Sequence, residues 1–265
     1  MFPNINLIKK NYLDNGVALI KNFCTKKDLD IVKSAIQFTI DNPSPFSKKI
    51  NNGEGDFFYD YWTYKRNKSI QELLKSEDLI NKIKEISSSN KINFFHDHVL
   101  VKYKSAPDTP WHQDRPYYFV DGKNNFSIWI TVDDISENSS LAFCSKSHLS
   151  GNEYLPVSFD NKKIVGQNSF LAELNENNLN MEAANGIQIF NMKAGDAIIF
   201  NNKTIHKSLP SSSTKTRSAL SLRFISDGAF LTNKFVNATP PFDRMGMKIS
   251  EGSKPEENWF PTLPL

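Results

Sequence analysis

The hydrophobic period of this chain changes once, near residue 91, and that change limits the folds open to it. Before it, apolar residues recur at helical spacing: Leu29, Val32, Ile36 and Ile40 form one stripe. Thr25 is a good N-cap with Asp28 at the third helical position, a capping-box arrangement. The run Asn42-Pro43-Ser44-Pro45 ends that helix, because a residue before proline is pushed out of the helical region. Leu73, Leu74, Ile80, Ile83 and Ile86 predict one or two further helices over 69–87. After residue 91 the period is two. A strand is expected over 98–103. In 126–132, Phe126, Ile128, Ile130 and Val132 share one face, and Ser127, Trp129 and Thr131 the other. Further strands are expected at 16–20, 141–143, 187–190, 196–200 and 217–225. Helical patterns followed by many short strands predict a mainly β fold, a sandwich or jelly roll with helices packed on the outside.

The remaining stretches carry less pattern. Residues 43–66 read as an aromatic, polar loop bordering the site. The Asn-rich segment 150–180 reads as a long insert, of the kind that serves as a lid or binding loop. The proline-bearing end reads as an extended tail over the surface. The whole is expected to form one domain over 1–265: a helical part over about 1–90, a jelly-roll core over about 91–226 and the tail over about 227–265.

Chemistry concentrates at Trp111-His112-Gln113-Asp114. In extended backbone, residues i and i+2 point to the same side, so His112 and Asp114 can offer an imidazole nitrogen and a carboxylate to one point. Such ligands without sulfur suit a divalent iron site with open positions, once a second histidine joins them. His206 is the candidate, because it follows the expected strand 197–200. Arg217 comes eleven residues later, at the head of an alternating strand, where a guanidinium needs an anion. Ser208 would point the same way as His206 and could donate to that anion. Arg223 shares the face of Arg217 but lies roughly 20 Å further along. It is expected to meet an anionic substrate or a surface acid. His96 is expected at the surface, and His148 as a residue that locks a loop. Trp111 is expected to pack, and Arg115, Tyr117 and Tyr118 either to touch substrate or to pack.

These residues, together with Ser127-Ile128-Trp129-Ile130 and Ser145-Lys146-Ser147-His148, resemble the phytanoyl-CoA dioxygenase family. The resemblance runs from about Val17 onward and is most specific between 98 and 224. It implies a cupin-like double-stranded β-helix and an enzyme, a non-haem Fe(II)- and 2-oxoglutarate-dependent dioxygenase. It implies His112, Asp114 and His206 as iron ligands. It implies that Arg217, assisted by Ser208, holds the far carboxylate of 2-oxoglutarate, and that Trp129, His98, Lys102 and Gln113 contact the same cosubstrate. Alternation, by contrast, turns Gln113 away from the metal. The segment Cys144–His148 departs from the family's Pro-Gly-Ser/Thr-His, which touches the turn and not the metal ligands. The implied reaction consumes O2 and 2-oxoglutarate, releases succinate and CO2, and oxidises a substrate C–H bond. Related iron halogenases lack the carboxylate, so Asp114 argues for hydroxylation, desaturation or ring closure. Two rival readings are a jelly-roll enzyme with another metal and a non-catalytic binding or sensor protein on the same fold.

Composition sets the outer limits. Net charge is +3, from 32 basic and 29 acidic residues, too balanced for a nucleic-acid footprint. No apolar run approaches the roughly 18 residues of a membrane span, and no signal peptide is expected. Two distant cysteines, Cys24 and Cys144, suggest no disulfide framework and a cytoplasmic setting. The expected partner is a small-molecule substrate, ahead of an acyl-CoA, on a monomer or homodimer.

Overall fold

The computed structural model describes residues 4–51, 55–159, 171–212, 214–233 and 239–265. Its elements in chain order are α1 (Ile5–Asn15), β1 (Val17–Ile20), α2 (Lys26–Asp41), β2 (Lys48–Asn51), β3 (Asp56–Tyr61), α3 (Lys68–Lys75), α4 (Glu77–Ser87) and β4 (Ile92–Lys102). There follow β5 (Val120–Asp121), β6 (Phe126–Thr131), β7 (Leu141–Cys144), α5 (Glu176–Glu182), β8 (Ile187–Ile189), β9 (Ala197–Asn201), β10 (His206–Ser208), β11 (Arg217–Ser226) and β12 (Phe230–Leu231).

Seven strands form one antiparallel sheet in the order β1-β9-β6-β11-β4-β3-β2. A smaller sheet, β10-β7-β8, faces it, and β12 pairs with β5. Period-two patterning decides what each face meets. Phe126, Ile128, Ile130, Leu220, Leu222 and Phe224 point outward and bury against α1–α4. Trp129, Ala219 and Ile198 point inward with Leu141 and Phe143 of the smaller sheet. Burying each large apolar side chain contributes about 1.5–3 kcal/mol, so both faces of the large sheet are tied down. The helix α2 starts as expected: Thr25 Oγ accepts from the Asp28 N–H at 3.2 Å, and Asp28 accepts from the Thr25 N–H at 3.0 Å.

One element is added and three expectations are corrected. The segment before β1 is a helix, α1, which packs the short stripe Ile5, Ile8 and Tyr12 against the outer core and leaves Leu7 and Leu13 exposed. It ends at Gly16, whose φ of 76° places it in the left-handed region, and the Gly16 N–H returns to the Tyr12 carbonyl at 2.8 Å. Residues 48–51 and 56–61 are not a loop. They are the antiparallel strands β2 and β3, which extend the large sheet through β4. The insert holds a helix, α5, capped by Asn175, and a bridge between Tyr154 and Ala172; residues 160–170 lie outside the described residues. The tail does more than wrap the surface. Phe242, Met247 and Phe260 bury with Phe95, Tyr118 and Phe119 in a second core. None of the described helices is long and apolar enough to cross a membrane.

The layer argument predicts a contrast between two leucines. Leu220→Ala, at a fully buried position, should destabilise by about 2–5 kcal/mol, whereas Leu7→Ala should change stability by no more than about 0.5 kcal/mol. Urea unfolding of the two variants measures both.

Candidate metal centre and cosubstrate pocket

The two histidines meet through the backbone. His112 and His206 form an antiparallel bridge: the His112 N–H donates to the His206 carbonyl at 2.9 Å, and the His206 N–H returns to the His112 carbonyl at 2.8 Å. Directly opposed residues project to one side, and the two rings lie 4.3 Å apart, centre to centre. Each ring is fixed by its Nδ1. His112 Nδ1 lies 2.9 Å from the Pro110 carbonyl, and His206 Nδ1 lies 2.9 Å from the Thr204 carbonyl. A carbonyl only accepts, so Nδ1 carries the proton in both rings and Nε2 keeps its lone pair. This is the tautomer that a metal-binding imidazole with an ordered outer partner adopts.

Asp114 arrives by a different route from the one expected. It is not extended: with φ −71° and ψ −33° it opens the short helical turn Arg115–Tyr117. The turn still brings its carboxylate to the histidines, and one ligand atom from each of His112, Asp114 and His206 lies within 4.8 Å of the others. All three are buried. Burial opposes charge on Asp114, but Arg223 and then His206, His112 and His98 outweigh it and hold the carboxyl below its usual range. Burial, then the neighbouring His206, lowers His112 to about 3, and burial likewise lowers His206. Two neutral imidazoles and an ionised carboxylate, converging and already in their ligating forms, fit a divalent iron ion.

The second part of the site lies along β11. Arg217 is buried, and its Nη2 donates to Ser208 Oγ while its Nη1 donates to the Ser139 and Ser140 carbonyls. Its guanidinium carbon lies 5.8 Å from the centre of Trp129. Burial lowers Arg217 to about 10, so it stays charged at neutral pH. Lys102, directly opposite Arg217 in the β4–β11 register, is buried too. Its Nζ donates to the carbonyls of Pro107, Ser208 at 3.4 Å and Leu209 at 3.2 Å. Burial, then the Arg217 charge, lowers it to about 6. His98, Lys102, Trp129, Ser208 and Arg217 line one cavity with His112, Asp114 and His206. That cavity encloses about 540 Å³ of empty space, part of it open to solvent.

Other expectations change. Gln113 does not line the cavity. Its Nε2 donates to the carbonyls of Asn152 at 3.0 Å and Lys203 at 2.9 Å, and its Oε1 accepts from the Tyr154 N–H at 3.2 Å. Its alternation away from the metal decides the matter against the resemblance, and Gln113 serves as a clasp on the following loop. His96 is not at the surface; it lies in β4, is buried, and packs against Tyr118 and Tyr61. Arg223 does not meet a surface acid: it is buried, lines the same cavity, and its Nη2 lies 3.5 Å from Asp114 Oδ2. His148 does lock a loop, with Nε2 3.2 Å from the Leu13 carbonyl. Trp111 lies outside the cavity. Tyr118 and Arg115 are buried away from the cavity, Arg115 paired with Asp121 at 2.8 Å, and Tyr117 holds the Val157 backbone. Residue-level reading missed Phe57 and Phe159, which form an aromatic wall over His112; the two rings lie 5.5 Å apart, and Phe159 is 5.7 Å from the His112 ring. Their segments were marked only as loops near the site.

The family model of phytanoyl-CoA dioxygenase matches residues 12–219. The chain belongs to the phytanoyl-CoA dioxygenase family. It is accordingly an oxidoreductase of the Fe(II)- and 2-oxoglutarate-dependent class, using iron, 2-oxoglutarate and O2. Among relatives in this family, the phytanoyl-CoA dioxygenase domain-containing protein 1 homolog of Dictyostelium discoideum is 25% identical over 256 residues, covering 81% of this chain and 88% of the relative. Solved structures share the fold at lower identity. The epimerase SnoN of nogalamycin biosynthesis, in complex with Fe3+, alpha ketoglutarate and nogalamycin RO, is 15% identical, with a TM-score of 0.75 over 97% of this chain and 98% of SnoN. EctD from S. alaskensis, with 2-oxoglutarate and 5-hydroxyectoine, is 12% identical, with a TM-score of 0.69 over 93% of this chain and 84% of EctD. The expected cupin-like jelly roll is therefore the family's fold in this chain.

The buried neutral histidines generate a pH prediction for the metal-free protein. His112, His206, His96 and His98 all have lowered folded values, so the unfolded chain takes up their protons first as pH falls. Stability is unaffected above the unfolded value of about 6.5 and falls as pH drops below it, for His112 down to its folded value of about 3. The melting temperature of metal-free protein should therefore be lower at pH 5 than at pH 7.5. A flat profile across that range would contradict the assignment of neutral buried rings.

Proposed function

We propose that this enzyme hydroxylates a C–H bond of a small-molecule substrate, coupled to conversion of 2-oxoglutarate to succinate and CO2. The observation that carries the reading is the convergence of His112, Asp114 and His206 in a cavity that also contains the Arg217–Ser208 pair. In this reading His112 and His206 bind iron through Nε2 and Asp114 through a carboxylate oxygen. Arg217 and Ser208 bind the far carboxylate of 2-oxoglutarate, a fork-to-carboxylate contact. Trp129, His98 and Lys102 shape the cosubstrate's berth. Bound iron with 2-oxoglutarate supplies the activation of O2. The chain's own part is to hold three ligands on one face, leave the opposite positions open, and keep water out with Phe57 and Phe159.

Two features support hydroxylation of a small substrate. Asp114 occupies the place that a halide would need. The cavity wall sets aromatic and apolar side chains, among them Phe57, Leu100, Trp129 and Leu141, beside a few convergent polar groups, the lining of a small-molecule site. A second outcome at the same site, ring closure in secondary metabolism, draws support from the fold shared with the carbocyclase SnoK, 14% identical with a TM-score of 0.73. We further propose that the chain works as one domain in the cytoplasm, where its two free cysteines, Cys24 and Cys144, stay reduced.

Anaerobic addition of Fe(II) and 2-oxoglutarate should produce a weak visible charge-transfer band, and His112→Ala should abolish it. No band in the wild-type chain, with 2-oxoglutarate bound no better than a control acid, would refute the proposal. Arg217→Ala should raise the 2-oxoglutarate concentration needed by about 10–100-fold, the loss of a charged hydrogen-bonded contact, while leaving iron affinity unchanged. Succinate formation stimulated by one member of a panel of small acids, amino-acid derivatives and secondary metabolites would identify the substrate.

A further inference from the structure

Arg223 is the one charged side chain on the metal face of β11 with no part in the reading so far. Its placement depends on an irregularity. Along β11 the partners on β4 run Leu222↔Asp97 and Arg223↔His96, and then skip to Phe224↔Phe94. Phe95 is therefore an extra, unpaired residue, and the ladder is bulged beside Arg223. The bulge turns the Phe95 ring out of the alternation and into the second core, 4.9 Å from the Tyr118 ring. Tyr118, fixed there, accepts a hydrogen bond from Arg223 Nε. On the other side of β11 the register is regular, and Arg223 lies directly opposite Ser127 of β6.

Arg223 and Ser127 converge on one atom. Arg223 Nη2 lies 3.5 Å from Asp114 Oδ2, and Ser127 Oγ donates to the same oxygen at 3.3 Å. Asp114 Oδ2 is thus held from the sheet by two side chains. Arg223 Nη1 has no hydrogen-bond partner among the described residues, so the contacts that place the guanidinium are those with Tyr118 and Asp114. We propose that Arg223 is a positioning residue: with Ser127 it restrains Asp114 Oδ2, so that Asp114 offers iron a single oxygen in a fixed orientation. A carboxylate free to turn could present both oxygens and occupy a position that 2-oxoglutarate or O2 needs. The arrangement runs Tyr118–Arg223–Asp114, an outer partner ordering a ligating carboxylate.

A competing effect has the opposite sign. A guanidinium this close to a dication repels it, so if Arg223 acted on iron only through its charge, removing it would tighten metal binding. The inference rests on the iron site proposed above, and the test separates the two. Cobalt(II), an air-stable stand-in for iron(II), is titrated into the full-length wild-type chain and into R223M, R223K and S127A, following its visible bands, with thermal melts as the control for folding. R223M should bind cobalt about 10–100-fold more weakly, the usual cost of losing an outer partner of a metal ligand. It should also shift the cobalt bands, because Asp114 changes its mode of binding. R223K keeps the charge and should recover part of the affinity; S127A should weaken binding in the same direction by a smaller factor. If R223M does not fold, S127A carries the test alone, since it removes the other restraint on the same oxygen. Cobalt bound by R223M as tightly as by wild type or more tightly, with unshifted bands, overturns the inference and leaves the iron site standing; if R223M does not fold, the same result for S127A does so. A wild-type chain that binds no cobalt overturns both.

Discussion

The site depends on one pair of backbone hydrogen bonds. The bridge between His112 and His206 joins a loop at the middle of the chain to the short strand β10, and its two N–H···O contacts set the rings side by side. Side-chain bonds then finish the arrangement: Pro110 and Thr204 carbonyls fix the rings, and the turn at Asp114 brings in the carboxylate. The same strand carries Ser208 two residues beyond His206, so the element that completes the metal ligands also supplies a partner for Arg217. Iron site and cosubstrate site are therefore two ends of one local geometry.

The large sheet is what makes that geometry affordable. Polar side chains facing its inner surface, among them Lys102, Arg217 and Arg223, are buried, and burying a polar or charged group is costly unless it finds partners. Here each does: Lys102 has three carbonyls, Arg217 has Ser208 and two carbonyls, and Arg223 has Asp114 and Tyr118. The outer face carries the opposite burden. It is almost wholly apolar and packs against α1–α4, so the strands hold their inward side chains on a rigid support.

Much of this was legible in the sequence where a single periodicity ruled. The strands β6 and β11 alternate cleanly, because one face meets helices and the other the cavity. Those alternations put Trp129 and Arg217 on the inward faces they occupy, while their cosubstrate roles follow from the family resemblance. The helix α2 announced itself by its capping box. What escaped reading had mixed surroundings. The helix α1 has only a short stripe, Ile5, Ile8 and Tyr12, interrupted by exposed Leu7 and Leu13, and β3 packs aromatics on both faces, so Phe57, Phe58 and Tyr59 give no alternation. His96 looked like a surface residue because nothing local shows the second core closing over β4. Arg223 was assigned a distant anion because its true partner, Asp114, comes from a loop some hundred residues earlier, beside a bulge that pattern alone does not reveal. For Gln113, simple alternation and the family resemblance point different ways, and its side chain bonds to the Asn152, Tyr154 and Lys203 backbone outside the cavity.

The most direct test of the account is a crystal structure of the protein grown anaerobically with Fe(II) and 2-oxoglutarate, with anomalous scattering at the iron edge. The account predicts one iron peak bound by His112 Nε2, His206 Nε2 and a single oxygen of Asp114, with the far carboxylate of 2-oxoglutarate on Arg217 and Ser208. Iron bound elsewhere, or 2-oxoglutarate bound without contact to Arg217, would contradict it.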